Sequence, residues 1–163
     1  MIENDILNKG YKIIRYDLYS MDIHDCLACM YCKRKDLAEC CQKDDLSDLY
    51  RQIDDSRAII IVSPIYMFGI TGNAKIFLDR LYPYATYGHG SKLKGQKAFV
   101  VYAQGSADGD QYAQCQGQVR DVLITLGFDY SGQVVLGGNS PFEKGKVTEE
   151  QEAKLHSLFA DLA

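Results

Sequence analysis

What this chain has little of narrows its function before any motif is weighed. Basic runs are short: the longest cluster is Lys33-Arg34-Lys35, and the formal net charge is −4. Nucleic acid and anionic membrane surfaces are therefore not expected partners. No apolar stretch approaches the ~20 residues that span a bilayer, so no membrane association is expected either. The opening residues, MIENDILNKGYKIIRY, lack the basic-then-apolar layout of an export signal. The expected compartment is a reducing cytoplasm, where clustered cysteines bind metal or do redox chemistry more often than they form disulfides. Histidine is scarce and scattered, at His24, His89 and His156, with nothing that suggests a catalytic pair. There is no internal repeat, low-complexity segment or Pro/Gly/Ser linker, and residues 1–163 read as a single domain.

What is present is a regular alternation. YKIIRYDL is β-branched and aromatic and reads as a strand. DDLSDLYRQIDDS places Leu46, Leu49, Tyr50 and Ile53 on one helical face, with Asp44 or Asp45 available as a cap. RAIIIVSPIY is a continuous apolar run ended by Pro64, the pattern of a buried parallel strand. GNAKIFLDRLY is helical, KAFVVYAQG is a second buried strand, and DQYAQCQGQVRDVLITLGF aligns Tyr112, Cys115, Val119, Val122, Leu123 and Leu126 on one face. Cys115, alone on that face, reads as core. GQVVLGG is a short strand, and Thr148 with Gln151 forms a capping-box pattern ahead of a helix that buries Leu155, Leu158, Phe159 and Leu162. Alternation of this kind predicts an α/β fold, a doubly wound parallel sheet between two helical layers.

In such sheets ligands bind beyond the carboxyl ends of the strands. Two loops leave buried strands there. In SPIYMFGITGNAK, Gly69 and Gly72 allow close backbone approach, and between Pro64 and Gly69 lie Tyr66, Met67 and Phe68. This loop either lines a ligand or folds back on the core. AQGSADGDQ is either a flexible connection or the opposite wall of a ligand slot.

The cysteines pose a separate question. CLACMYCKRKDLAECC holds five of the six, spaced C-x2-C-x2-C-x7-C through Cys26, Cys29, Cys32 and Cys40, with Cys41 as an alternative fourth ligand. Two consecutive x2 gaps are a recurrent way to hold three corners of an iron-sulfur cluster. Zinc sites more often use two separated C-x2-C pairs. Reduced structural thiols and a disulfide are the remaining readings.

SPIYMFGITGNAKIFLDRL resembles the S-P-x-Y-x-x-x-x-x-G-x-x-K-x-F-x-D-R signature of the NAD(P)H-dependent FMN reductase family, with Ser63, Pro64, Tyr66, Gly72, Lys75, Phe77, Asp79 and Arg80 in register. The cysteine segment and the Asp44-Asp45 pair resemble the iron-sulfur flavoprotein branch. The resemblance implies a flavodoxin-like fold. It also implies FMN along Pro64, Ile65, Tyr66, Met67, Phe68 and Gly69, with Ala103, Gln104 and Gly105 approaching the same ring. NAD(P)H is then the reductant, a small molecule or protein the acceptor, and a homodimer or homotetramer the assembly. A 4Fe-4S cluster on Cys26, Cys29, Cys32 and Cys40 is a further implication. The Tyr82–Tyr87 stretch would serve an interface or edge the flavin pocket. No catalytic side chain is implied, because the protein's part is to orient and tune the cofactor. The alternatives are an electron carrier without its own substrate and a degenerate, non-flavin-binding remnant.

The family's first strand and its phosphate-cradling Gly/Ser-rich loop have no counterpart here; MIENDILNKGYK reads as the tail of the helix that follows them. In the flavodoxin-like order 2-1-3-4-5 that strand is central, so a slot about two strand spacings wide is expected. A late start or a fragment, direct pairing of the flanking strands, or a strand from another chain would each account for it. If the chain is complete as written, weak or absent FMN binding is the expectation.

Overall fold

The computed structural model describes residues 2–34, 39–85, 92–138, 147–160 and 162. In chain order the elements are α1 (Ile2–Asn8), α2 (Leu46–Asp55), β1 (Ala58–Tyr66), β2 (Gly69–Ile70), α3 (Gly72–Arg80), β3 (Lys97–Ala103), α4 (Ala113–Leu126), β4 (Asp129–Leu136) and α5 (Glu149–Leu158). They build a four-stranded sheet in the order β2-β1-β3-β4. β1 pairs in parallel with β3 from Ala58↔Lys97 to Pro64↔Ala103, and β3 pairs in parallel with β4. β2 is a short antiparallel return on the carboxyl end of β1. This is the expected flavodoxin-like α/β arrangement.

β3 shows why the sheet is covered on both faces. Its alternate residues Ala98, Val100 and Tyr102 pack with Leu46, Leu49 and Ile53 of α2, Phe77 and Leu78 of α3, and Val119 and Leu123 of α4. Phe99 and Val101 point the other way, against Val134, Leu155, Phe159 and Leu162. Each such buried side chain contributes roughly 1.5–3 kcal/mol through removal from water. Thr71 Oγ1 accepts from the Ala74 amide and starts α3, and the Thr148–Gln151 capping box starts α5 as expected. β4 carries a bulge at Ser131, since Ala98 pairs with Tyr130 but Phe99 with Gly132. Gly132 sits at φ +138°, and a Cβ there would meet Leu158 Cδ1 at 2.9 Å. The positive φ favours glycine there, while the Leu158 methyl belongs to a side chain that can shift.

Three expectations are corrected. YKIIRYDL is not a strand: residues 11–17 have no ladder partner among the described residues. A strand needs a neighbour, and this segment is tied down by side chains instead. Lys9 Nζ donates to the Phe159 and Ala160 carbonyls, Arg57 lies over the Tyr11 ring, and Asn73 Nδ2 donates to the Leu18 carbonyl. Direct pairing of this segment with β1 is thereby overturned. Val122 turns out of the α4 interface, because Cys115, Val119, Leu123 and Leu126 already fill the apolar face. Tyr84 is neither interface nor pocket edge; it is buried, and its hydroxyl donates to Asp54 Oδ1 at 2.8 Å. Thr86, Tyr87 and His89 lie outside the described residues.

Val62 shares a face with Ile60 yet remains 63 % exposed in an otherwise apolar strand. The contrast with Phe99, 0 % exposed one strand away, gives a paired prediction. Phe99→Ala lowers unfolding free energy by about 3–5 kcal/mol, and Val62→Thr changes it by less than about 0.5 kcal/mol in urea titrations. A cost above about 1 kcal/mol for Val62→Thr would show that this part of β1 is covered in solution.

Candidate functional site

Two separate features are candidates for the functional site, at opposite ends of α3. The first is the cysteine loop, and its anchoring starts from charge. Arg80 falls on the same helical face as Phe77, where the core would otherwise continue, and is 1 % exposed. A buried guanidinium needs a carboxylate, and Asp44 supplies it: Nη1 donates to Oδ2 at 2.6 Å and Nη2 to Oδ1 at 3.1 Å. Nη1 also donates to the His24 carbonyl at 2.8 Å. His24 precedes Cys26 and Asp44 follows Cys41, so one guanidinium holds both feet of the loop. Further bonds run between the feet. The Asp22 amide donates to Asp45 Oδ2 at 2.7 Å, the Asp45 amide to the Asp22 carbonyl at 3.2 Å, and Gln42 Nε2 to the Asp25 carbonyl at 2.9 Å. Higher in the loop, Lys33 Nζ donates to the Tyr82 carbonyl at 2.6 Å and lies over the Tyr82 ring.

Between these anchors Ala28 and Met30 take left-handed backbone, φ +50° and +56°, which curls the chain around a concavity of about 320 Å³. Cys26, Cys29, Cys32, Cys40 and Cys41 all line it, with Arg80 and Tyr82 on the wall. Cys29 Sγ and Cys41 Sγ are 3.5 Å apart. The Tyr31 backbone, and then the Cys41 thiol, draw the Cys29 thiol below its ordinary value, while the same thiol–thiol bond raises Cys41. Burial pushes Cys32 up. Among the described residues no three His, Cys, Asp or Glu side chains converge on one point as ligands of a single ion. Cys115 is buried in the core, as expected, and burial raises its thiol.

The second feature is the carboxyl end of β1. Met67 and Phe68 form a two-residue turn between the pairs Tyr66↔Gly69 and Ile65↔Ile70, with φ +48° and +67°. Both central φ values are positive, as in a type I′ hairpin turn, which Asn-Gly suits and Met-Phe does not. Left-handed backbone costs a residue with a side chain roughly 1–2 kcal/mol. Tyr66, Met67 and Phe68 are exposed, and Phe68 packs edge-on to Tyr112 at 5.5 Å. Ser63 Oγ accepts from the Thr71 amide and closes the return.

Of the other expected ring residues, Pro64 and Ala103 stand side by side in the ladder. Gly105 is exposed beyond them, whereas Ile65 and Gln104 face inward. Gln104 Nε2 donates to the Ser106 and Asp108 carbonyls, and the loop packs so tightly on β4's end that a Cβ at Gly137 would meet the Ser106 carbonyl oxygen at 2.6 Å. Gln104 therefore shapes the wall rather than lining it, and its buried Oε1 has no hydrogen-bond partner among the described residues. The structure does not join the two features: the turn precedes α3 and the cysteine concavity lies at its far end, about 12 Å of helix rise away. Sequence reasoning missed Arg80 and Lys33 as loop anchors. A charged residue on the apolar face of α3 was the available signal.

The ion pair sets an acid limit. Burial alone would raise the Asp44 carboxyl, but the Arg80 hydrogen bonds and charge outweigh it and hold it below its ordinary 3.8. A carboxyl depressed in the fold contributes stability above its unfolded value, lost as pH falls through the folded one. Urea midpoints therefore decline below about pH 4, and Asp44→Asn flattens that decline after an initial loss of about 3–5 kcal/mol.

Comparison with known proteins agrees with this geometry. The NADPH-dependent FMN reductase family profile matches residues 4–140. An iron-sulfur flavoprotein of Archaeoglobus fulgidus is 33 % identical over 159 residues, covering 96 % of this chain and 68 % of its own. The chain spans about two thirds or less of the length of the curated relatives first matched. Among solved structures, an NAD(P)H:quinone oxidoreductase from Methanothermobacter marburgensis superposes with TM-score 0.68 at 20 % identity, over 96 % of this chain and 81 % of that one. An FMN-dependent NADH-azoreductase from Bacillus anthracis, in complex with FMN, superposes with TM-score 0.57 at 21 % identity, over 72 % of this chain and 61 % of that one. On the family profile and the 33 % identical relative the chain belongs to the NADPH-dependent FMN reductase family, a family of oxidoreductases, and the solved structures show a flavodoxin-like fold.

Proposed function

We propose that this protein is an FMN-dependent oxidoreductase that draws electrons from NAD(P)H and delivers them to a small-molecule or protein acceptor. The observation that carries the reading is the Met67–Phe68 turn. Backbone strain and three large exposed side chains are held together at the carboxyl end of β1, where doubly wound sheets bind ligands. FMN supplies the hydride chemistry when bound. The chain's part is to position it: Tyr66 and Phe68 offer flat faces that exclude water, Pro64 and Gly69 bring backbone close, and Ala103 and Gly105 leave room on the neighbouring strand. Gln104 holds that wall still. These residues fit the ring end of the cofactor. No glycine-rich loop opening a helix is present among the described residues to hold the phosphate end.

The finer part of the proposal is a 4Fe-4S centre on Cys26, Cys29, Cys32 and Cys40. Five thiols around one concavity suit it by composition. The two consecutive x2 gaps favour it over zinc, whose sites more often use two separated C-x2-C pairs. A homodimer or homotetramer is the proposed assembly, on the resemblance to the family alone. Among the described residues no helix is long and apolar enough to cross a membrane, and a cytoplasmic setting suits the reduced thiols.

Anaerobic purification followed by visible spectroscopy, with iron and sulfide analysis, tests this directly. Flavin bands and rapid NAD(P)H oxidation with quinone or free flavin as acceptor are expected. Reduction only by a protein partner would instead make it a carrier, and a colourless protein that binds no added FMN would refute the flavin reading. Cys29→Ser should remove iron absorbance and leave the far-ultraviolet spectrum intact. The double variant M67N/F68G should gain about 1–2 kcal/mol of stability by relieving the left-handed strain, yet release flavin more readily. Unchanged flavin affinity would reduce the turn to packing.

A further inference from the structure

The start of α4 reaches both walls of the proposed flavin slot. One wall is the Met67–Phe68 turn. Phe68 is 73 % exposed, so burial does not fix its ring. That ring meets the Tyr112 ring edge-on, with centroids 5.5 Å apart and planes at 80°. The other wall is the loop of residues 104–111 that leaves β3. Gln116, one turn beyond Tyr112, is 5 % exposed and uses both ends of its amide. Nε2 donates to the Gly109 carbonyl at 2.9 Å, and Oε1 accepts from Gln133 Nε2 at 2.7 Å. Gln133 Oε1 in turn accepts from the Tyr130 hydroxyl at 2.7 Å. Two residues of β4 thus set the orientation of the Gln116 amide, which presents its donor end to the loop. The loop enters the helix through the Ala113 amide, which donates to the Asp110 carbonyl at 3.0 Å.

We infer that Tyr112 and Gln116 are positioning residues that set the two walls in place before flavin arrives. Tyr112 fixes the Phe68 ring, and Gln116 fixes the backbone of the 104–111 loop. This inference rests on the flavin reading above. Each residue acts through another group: Tyr112 through Phe68, Gln116 through the Gly109 carbonyl. Its physical basis is preorganisation, since a ring or loop already held in the bound arrangement loses less freedom when the ligand binds. The Tyr112 contact is made by the ring, so Tyr112→Phe preserves it and Tyr112→Leu does not. Gln116→Leu keeps the side chain's bulk and leaves the Gly109 carbonyl without this donor.

The test uses the full chain with FMN as the probe. Dissociation constants are read from FMN fluorescence under conditions where urea titrations show the native state fully populated, so lost stability alone leaves them unchanged. Tyr112→Leu is expected to weaken FMN about fivefold, the scale of an edge-on aromatic pair, and Tyr112→Phe to match wild type. In a Phe68→Leu background, Tyr112→Leu should add less than about twofold, because the group it positions is gone. Gln116→Leu should weaken FMN about tenfold, as expected for a buried acceptor left unpaired. Unchanged affinity in Tyr112→Leu or Gln116→Leu overturns this inference alone. So does a Tyr112→Leu effect of equal size with and without Phe68. Wild-type protein that binds no FMN overturns the flavin reading and this inference together. Where either leucine variant fails to fold by circular dichroism, 15N NMR of the wild-type chain decides. The Tyr112 backbone amide and the Gln116 side-chain amide are expected to shift on addition of FMN, and unmoved resonances overturn the inference.

Discussion

The ion pair between Arg80 and Asp44 is the constraint on which the cysteine loop depends. Among the described residues of 22–45 Ile23 packs against the core, and the other anchors are polar, three of their hydrogen bonds made by one guanidinium. Buried pairs of this kind add little net stability over an apolar substitute, because desolvation offsets attraction. Their strength is directional: a bidentate fork admits one relative placement of helix, upstream foot and downstream foot. The pair sets geometry more than it sets stability. That suits a loop whose five thiols must face one concavity while the reducing form of each stays free of disulfides.

Much of the fold was legible because it is written in periodicity. The two-faced burial of β3, the caps of α3 and α5 and the apolar face of α4 follow from alternation and from local hydrogen-bond chemistry. Residues 11–17 were misread for an instructive reason. Tyr11, Ile13, Ile14 and Tyr16 have the composition of a strand, but composition states only a preference for extended backbone, and a ladder also needs a neighbour. Val122 shows the same limit on a helix, where pattern marks candidates for burial and packing chooses among them.

The candidate site was legible in part. Position on the carboxyl end of β1 and the presence of large groups between two glycines could be read directly. The turn conformation could not, because Met and Phe are residues that local preference steers away from left-handed backbone. A strained site is where a sequence-level rule is expected to fail, since the conformation is imposed by the flanking pairs Tyr66↔Gly69 and Ile65↔Ile70. Arg80 was visible as a letter in a signature. Its burial and its partners are properties of three segments brought together in space.

Tying both feet of a loop to a single point also decouples the loop's length from the sheet. Residues added or removed between His24 and Asp44 change the contour of a loop whose ends stay where the guanidinium holds them. The entropic penalty of a longer closed tether grows only slowly with its length. The segment between those two feet is thus where this scaffold can accommodate different spacings, and different occupants of the concavity, without renegotiating its core.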